Sequence, residues 1–466
     1  MQPTVAPGGA LPWWIEDALA VEGGRVDRPP LQGDTDVDVA IVGGGYTGLW
    51  TALAVIERTP SLNVAIFEAE YCGAGPSGRN GGFLETYWPA YGELRARFGE
   101  AAALQLATVS ERIPDAVEAL GEDVWLRRGG MLMVSTSARQ DAHLDHAVKA
   151  AEWAEQPWRA VALSAAEVAE RCRSPLFRRG VLFPDSSTVH PGRLVRALRH
   201  AVLGAGVSLY EGTRVSSVEP GVLHTPGGTV KAAEIVVATN AAMTDWRPVR
   251  GRLTVFGSYI VLTEPVPELL AEIGWTGGEA IVDARMFLHY FRTTDDGRVL
   301  MGSGSGPIGR GNRIDQRFTH DAATAGRAEL GLRRLLPGLA AARVERAWGG
   351  PIDVSADHLP FIGTAFGTQI HYAAGYSGNG VGPSWLAGQA LASLATNPDD
   401  EFARLPLVNR KGKRVPPEPI RFLGGSAIRA AILACEEAEE AGRRAPLVGR
   451  AVGALPRLLG MGLGTR

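Results

Sequence analysis

The sequence predicts an α/β fold built on a parallel sheet, with a second, antiparallel sheet beside it. Three observations carry that prediction. Val37 to Val42 is a largely β-branched run ending in Gly43-Gly44-Gly45-Tyr46-Thr47-Gly48, and Leu49, Ala52, Leu53, Val55 and Ile56 follow at mostly helical spacing. Asn63 to Phe67 is a second short strand, so strand, glycine turn, helix and strand succeed one another as a βαβ unit of Rossmann type. Between residues 250 and 305, short strands alternate with turns, the pattern of an antiparallel sheet.

Composition agrees with that class and excludes others. Of 466 residues 45% are apolar and 21% charged, as expected for a soluble globular chain with ample core. Forty-seven basic against 50 acidic residues leave a formal charge of −3, without the basic field that nucleic-acid phosphates demand. Cys72, Cys172 and Cys435 stand too far apart in sequence for a zinc site or a redox pair, so no metal and reduced thiols in a cytoplasmic protein are expected. Glu16 and Asp17 interrupt the apolar character of Met1 to Leu19, which argues against a secretory signal. No run of about 18 apolar residues suggests a membrane span.

In chain order, residues 1–35 read as a Pro- and Gly-rich irregular arm that packs Trp13 and Trp14 on the surface. From Trp88 to Ser174 the chain is helical and Ala-rich, broken by the strand-like Gly130 to Ser135. His190-Pro191-Gly192-Arg193 opens a helix with Leu194, Val195, Leu198 and Val202 on one face. Strands follow at Val207 to Tyr210, Thr213 to Val218 and Glu234 to Ala238, then at Tyr259 to Thr263, Phe287 to Thr293 and Arg298 to Gly302. Gln369 to Ala374 is a buried strand that enters a third glycine-rich loop, Gly375 to Gly382, and Pro383 suits the first turn of the next helix. One amphipathic helix, Ala427 to Ala441, is expected in the tail. Beyond it, the Arg-rich end suggests a docked helix or a weak peripheral membrane contact. The domain layout that follows is an arm at 1–35, a discontinuous dinucleotide domain at 36–95, 180–248 and 345–400, a substrate domain at 96–179 and 249–344, and a tail at 401–466.

Gly43, Gly45 and Gly48 fit the dinucleotide fingerprint, in which glycines permit a tight turn, close approach to a pyrophosphate and close helix packing. Glu68 ends the next strand 20 residues after Gly48 (68 − 48), where a carboxylate binds ribose hydroxyls. The cofactor is then NAD or FAD. Gly73-Ala74-Gly75-Pro76-Ser77-Gly78-Arg79-Asn80-Gly81-Gly82 separates them, because a second glycine-rich loop after the ribose-binding strand serves the longer FAD.

These motifs, with Val237-Ala238-Thr239-Asn240-Ala241, Asp357 to Gly363 and Gly375 to Gly380, resemble the D-amino-acid oxidase superfamily of FAD enzymes, nearest to its γ-glutamylputrescine oxidase branch. The resemblance runs from about Trp13 to Pro419, with Pro76 departing from the usual Ala. It implies a glutathione-reductase-like FAD domain with an antiparallel substrate domain. It also implies adenine contact by Val215, ribityl and flavin contact by Ser77, Arg79, Asn80 and Gly81, and Gly378, Asn379, Gly380 and Val381 at the pyrimidine edge. Relatives with covalent FAD use a Cys where Gly349 and Gly350 stand here, or a His where Asn80 stands, so FAD is expected to be non-covalent.

For the substrate side, the superfamily points to the strand carrying Tyr290 and Arg292, with Tyr259 and Arg252 on its neighbour. A guanidinium at Arg292 either clamps a substrate carboxylate bidentately or decorates a solvated sheet face. His190 reads as a helix-start histidine bonded to backbone, and His289 as structural, pointing away from Tyr290. The implied reaction is hydride transfer from the carbon of a neutral amine to flavin N5, imine hydrolysis, and reoxidation by oxygen to hydrogen peroxide. The alternatives are a dehydrogenase of the same fold serving a quinone or carrier, an NAD(P)-dependent reductase, and a non-catalytic flavin protein.

Overall fold

A computed structural model describes residues 11–440 and 443–458. The first ten residues of the expected arm and the last eight of the tail lie outside the described residues.

The βαβ unit forms as the sequence predicts. Thr35–Val42 leads through the glycine turn into helix Tyr46–Arg58 and then into strand Val64–Phe67. The sheet runs Phe361–Thr364, Ile370–Ala374, Gly228–Val237, Thr35–Val42, Val64–Phe67, Ser208–Tyr210, and its five inner pairings are parallel except at the Phe361 edge. Ala40, Ile41 and Ile66 are wholly buried, as continuous apolar strands covered on both faces should be. Helices Tyr46–Arg58 and Pro383–Thr396 lie side by side on one face of this sheet. Of the expected strand Thr213 to Val218, only Ser217–Glu219 pairs, and Val215 precedes it in irregular chain.

The second sheet has eight strands in the order Val344–Ser355, Leu253–Thr263, Val299–Ser303, His289–Thr293, Ala280–Asp283, Met131–Ser135, Arg179–Phe183, Val161–Leu163. All neighbours are antiparallel except Ala280–Asp283 with Met131–Ser135. The turn Asp295-Asp296-Gly297, with Gly297 at a φ of 80°, joins the central hairpin. Helix Ala322–Leu335 packs Ala328, Leu332 and Leu335 against one face, where Val261, Phe291 and Met301 meet it.

Two expectations about the ends need correction. The arm is not irregular throughout: Trp13–Val21 is a helix, with residues 22–34 irregular after it, and Trp14 is fully buried rather than on the surface. Trp14, Ile15, Ala18 and Leu19 recur at helical spacing, and Trp14 Nε1 donates to the Asn80 carbonyl at 2.9 Å, so the helix buttresses the second glycine loop. The tail holds two helices, Ile420–Glu440 and Leu447–Leu458, packed on one another, the second being the docked helix that is one reading of the Arg-rich end. The first of them begins well before Ala427 and lies beside the second sheet, where Arg421 donates to the carbonyl of Leu253 at the start of its strand. No helix among the described residues is long and apolar enough to cross a membrane.

Candidate active site

Parallel strands in α/β sheets gather their ligands at their carboxyl ends. Here Val42, Phe67 and Val237, the last residues of three neighbouring strands, line one cavity of about 810 Å³. Gly43 turns the chain at a φ of 110°, where a Cβ would stand 2.7 Å from the Ala238 carbonyl oxygen. A Cβ on Gly48 would come within 2.0 Å of the Gly43 oxygen, so Gly48 works beneath the cavity, letting helix and turn close on each other. Gly45 ends the turn, and the amino end of helix Tyr46–Arg58 then faces the cavity with its positive dipole end. Ser77 Oγ accepts from Tyr46 N at 3.0 Å, tying the second glycine loop to the first.

Glu68 lines the same cavity; its Oε2 accepts from Gly44 N at 2.7 Å and its Oε1 from Glu70 N at 2.9 Å. Burial pushes this carboxyl above its ordinary range, against the lowering effect of those two bonds. Val215, Arg79, Asn80, Gly378, Gly380 and Val381 complete the lining among the residues singled out above. Arg79 is held by the carbonyls of Ala74 and Gly349 at 3.0 and 3.3 Å. Asn80 spends its amide on its own loop, donating to the Ser77 carbonyl at 2.9 Å and accepting from Gly82 N at 2.8 Å.

Sequence reasoning missed Asp353. It lines this cavity, accepts from Gly375 N at 2.6 Å and from Asn240 Nδ2 at 2.9 Å, and is pushed up to about 7 by burial. An acid directly after Gly349-Gly350-Pro351-Ile352, in the strand Val344–Ser355, was the available signal.

A second cavity of about 250 Å³ shares Pro76, Arg79, Asn80, Pro351, Ile352, Gly378 and Val381 with the first. Gly81, Asn379 and Tyr290 line only this smaller one. Its walls are mostly apolar, with Phe83, Phe256, Leu288, Ile352 and Val354 among them. Tyr290 Oη and Ser258 Oγ lie 2.8 Å apart at this cavity, and buried Glu85 accepts from Asn379 Nδ2 at 2.8 Å. The tail contributes Gly425, Ile428, Arg429 and Ile432, a set that no sequence expectation placed here.

Three of the four expected substrate residues do not reach either cavity. Arg292 lies on the same strand as Tyr290 but is fully buried, with Nη1 donating to the carbonyls of Val189 and Gly82 at 2.6 and 3.1 Å and Nε to that of Thr293 at 3.2 Å. It is a structural bolt rather than a clamp or a solvated group, and burial lowers its pKa to about 9. Tyr259 points to the opposite side of its strand from Ser258, packs beside Gly349 and donates to the Arg317 carbonyl. Arg252 precedes the strand and donates to the Gly412 carbonyl. His190 caps its helix, its Nδ1 accepting from Arg193 N at 3.1 Å, and His289 is buried 2.8 Å from Asp283.

The family model described as DAO, FAD dependent oxidoreductase, matches residues 38–394. Among curated proteins, the chain is 28% identical over 448 residues to probable oxidoreductase OrdL of Rhizobium meliloti (strain 1021), covering 93% of this chain and 96% of that protein. It is also 28% identical over 403 residues to γ-glutamylputrescine oxidoreductase of Escherichia coli (strain K12), covering 84% and 91%. Among solved structures, glycine oxidase from Geobacillus kaustophilus superposes with a TM-score of 0.67 at 24% identity, over 81% of this chain and 100% of that one.

Proposed function

The chain belongs to the DAO family of FAD dependent oxidoreductases, and from that premise we propose that it oxidises the CH–NH bond of a small amine or amino acid, a γ-glutamylputrescine-like compound first among candidates. The observation that carries this reading is the junction of the two cavities. A long cavity with a glycine cradle suits a dinucleotide, and it opens through seven shared residues into a small, mainly apolar chamber suited to a substrate. What a bound FAD supplies there is acceptance of a hydride from the carbon bearing the amine and, with oxygen as acceptor, production of hydrogen peroxide.

The chain's part is binding, orientation and exclusion of water. Gly43, Gly45 and the helix they open take the pyrophosphate, with Gly48 setting their approach. Glu68 takes the ribose hydroxyls, and Val215 takes the adenine through its backbone. Ser77, Arg79, Asn80 and Gly81 follow the ribityl chain and flavin, while Gly378, Asn379, Gly380 and Val381 hold the pyrimidine edge. Helix Pro383–Thr396 begins directly after that last loop, so its positive end favours negative charge there. No cysteine lines either cavity, which supports non-covalent binding. The Tyr290 and Ser258 hydroxyls orient the amine, and the apolar walls hold its C–H bond in one direction away from bulk water.

The test is the visible spectrum of the purified protein mixed anaerobically with γ-glutamylputrescine, then with a panel of amines and N-methyl amino acids, and finally exposed to air. Bleaching of the flavin band that air reverses with peroxide supports an amine oxidase. Bleaching that persists in air but is reversed by a quinone moves the reading to a dehydrogenase. A yellow protein bleached by no amine overturns the substrate class.

A further inference from the structure

We propose that the tail helix Ile420–Glu440 supplies the substrate's anion clamp, Arg429, so that the amine oxidised here carries a carboxylate at a distance from its reacting carbon. The inference rests on the amine-oxidising reading above and deepens it. Gly425, Ile428, Arg429 and Ile432 recur at i, i+3, i+4 and i+7, one face of the helix, and all four line the smaller cavity. This wall comes from beyond residue 394, where the family match ends.

Arg429 is the guanidinium that Arg292 was expected to be. Its Nε donates to the Ser305 carbonyl at 3.0 Å, and Arg327 donates to the same oxygen at 3.0 Å and to Ser305 Oγ at 2.9 Å. A polar ribbon joins this pair to the reacting end of the chamber: Ser305 Oγ lies 2.8 Å from Ser303 Oγ, Ser258 Oγ donates to the Ser303 carbonyl at 3.3 Å, and Tyr290 Oη lies 2.8 Å from Ser258 Oγ. Among the described residues, neither Arg327 nor Arg429 forms an ion pair with a carboxylate. Two cations thus converge on one carbonyl with no carboxylate at ion-pair distance, Asp321 and Glu437 acting on them only at longer range, beside a mostly apolar chamber. Burial, and after it the neighbouring Arg327 charge, holds the Arg429 guanidinium below its ordinary range, a cost that an incoming anion would relieve. The chamber's carboxylate, Glu85, stands on a different wall, bonded to Asn379 of the glycine loop. An acid on the flavin-side wall and a base on the tail-helix wall match a ligand with an amine at one end and a carboxylate at the other.

The clamp is tested without turnover. Flavin-loaded, full-length protein is titrated with pentanoate and with pentanamide, read by perturbation of the visible flavin band and by calorimetry, for wild type, Arg429→Met, Arg429→Lys and Arg327→Met. The Kd for pentanoate is expected to rise about 10- to 100-fold in Arg429→Met and less in Arg429→Lys, with pentanamide unmoved. Arg327→Met leaves the tail helix intact and carries the same comparison, with a smaller rise, should Arg429→Met fail to fold. No pentanoate binding by wild type, equal pentanoate affinity in wild type and Arg429→Met, or parallel loss of both ligands overturns the clamp. Arg429-dependent pentanoate binding in a protein whose flavin no amine bleaches would sink the oxidation reading and leave the clamp standing. Bleaching by amines with pentanoate binding indifferent to Arg429 would do the reverse.

Discussion

Arg292 is gripped by backbone carbonyls from three segments, Gly82, Val189 and Thr293, with the Trp14 ring 5.6 Å from its guanidinium carbon. Its removal takes the donor from the buried Val189 carbonyl and empties a packed site, so Arg292→Ala is expected to lower unfolding stability by roughly 2–3 kcal/mol in urea. Discrimination between carboxylate and neutral amines should stay unchanged; a selective KM increase for carboxylates at normal stability would restore Arg292 as the clamp. The residues of the glycine loops and Glu68 were legible because each answers to local backbone geometry, a turn or a strand end, that sequence spacing encodes. Tyr259 was misplaced because a strand alternates faces at every residue: the neighbouring Ser258 takes the cavity side, and sequence fixes the alternation but not which parity faces inward.

At the scale of elements, the cap of helix Pro191–Gly204 makes a pH prediction. Burial lowers the His190 pKa from 6.5 to about 4, overcoming the nearby Asp17 carboxylate. The unfolded chain therefore takes up this proton first as pH falls. The stability that neutral His190 contributes is complete above pH 6.5 and is lost progressively toward pH 4. His190→Asn keeps a capping side chain and should flatten the dependence of unfolding free energy on pH across that window; an unchanged slope would assign it to other groups. The tail helix makes a second prediction. A chain ending at Pro417 keeps the buried Arg410–Asp357 ion pair and should still bind FAD, since no described residue beyond Ser384 lines the larger cavity. Its KM should rise about tenfold or more, because one wall of the smaller cavity is gone. Equal KM values for truncated and full chains would show that the helix does not bound the substrate. The helix Trp13–Val21 was legible in its apolar spacing, yet Pro and Gly around it suggested an irregular arm; what they mark is the connections flanking a short helix.

For the whole molecule, the decisive arrangement is two sheets set so that a glycine-lined cavity at the ends of the parallel strands and a mainly apolar chamber share a boundary. Because no cysteine lines either cavity, acid precipitation of the yellow protein should leave its flavin in the supernatant. Colour retained in the pellet would point to a covalent bond. The sequence by itself determined the α/β class, the βαβ unit, the FAD family and the glycine positions around the larger cavity. These depend on contacts close along the chain, and a turn or a period of 2 or 3.6 is written in neighbouring residues. Only the tertiary structure decided which arginine meets the chamber and which is locked in the core. Arg292 and Arg429 are separated by more than a hundred residues, and their roles follow from what lies opposite each after folding: for Arg292 the carbonyls of distant loops, for Arg429 the carbonyl of Ser305 and an apolar cavity. Long-range packing sets burial, and burial decides whether a charge is a bolt or a binding group.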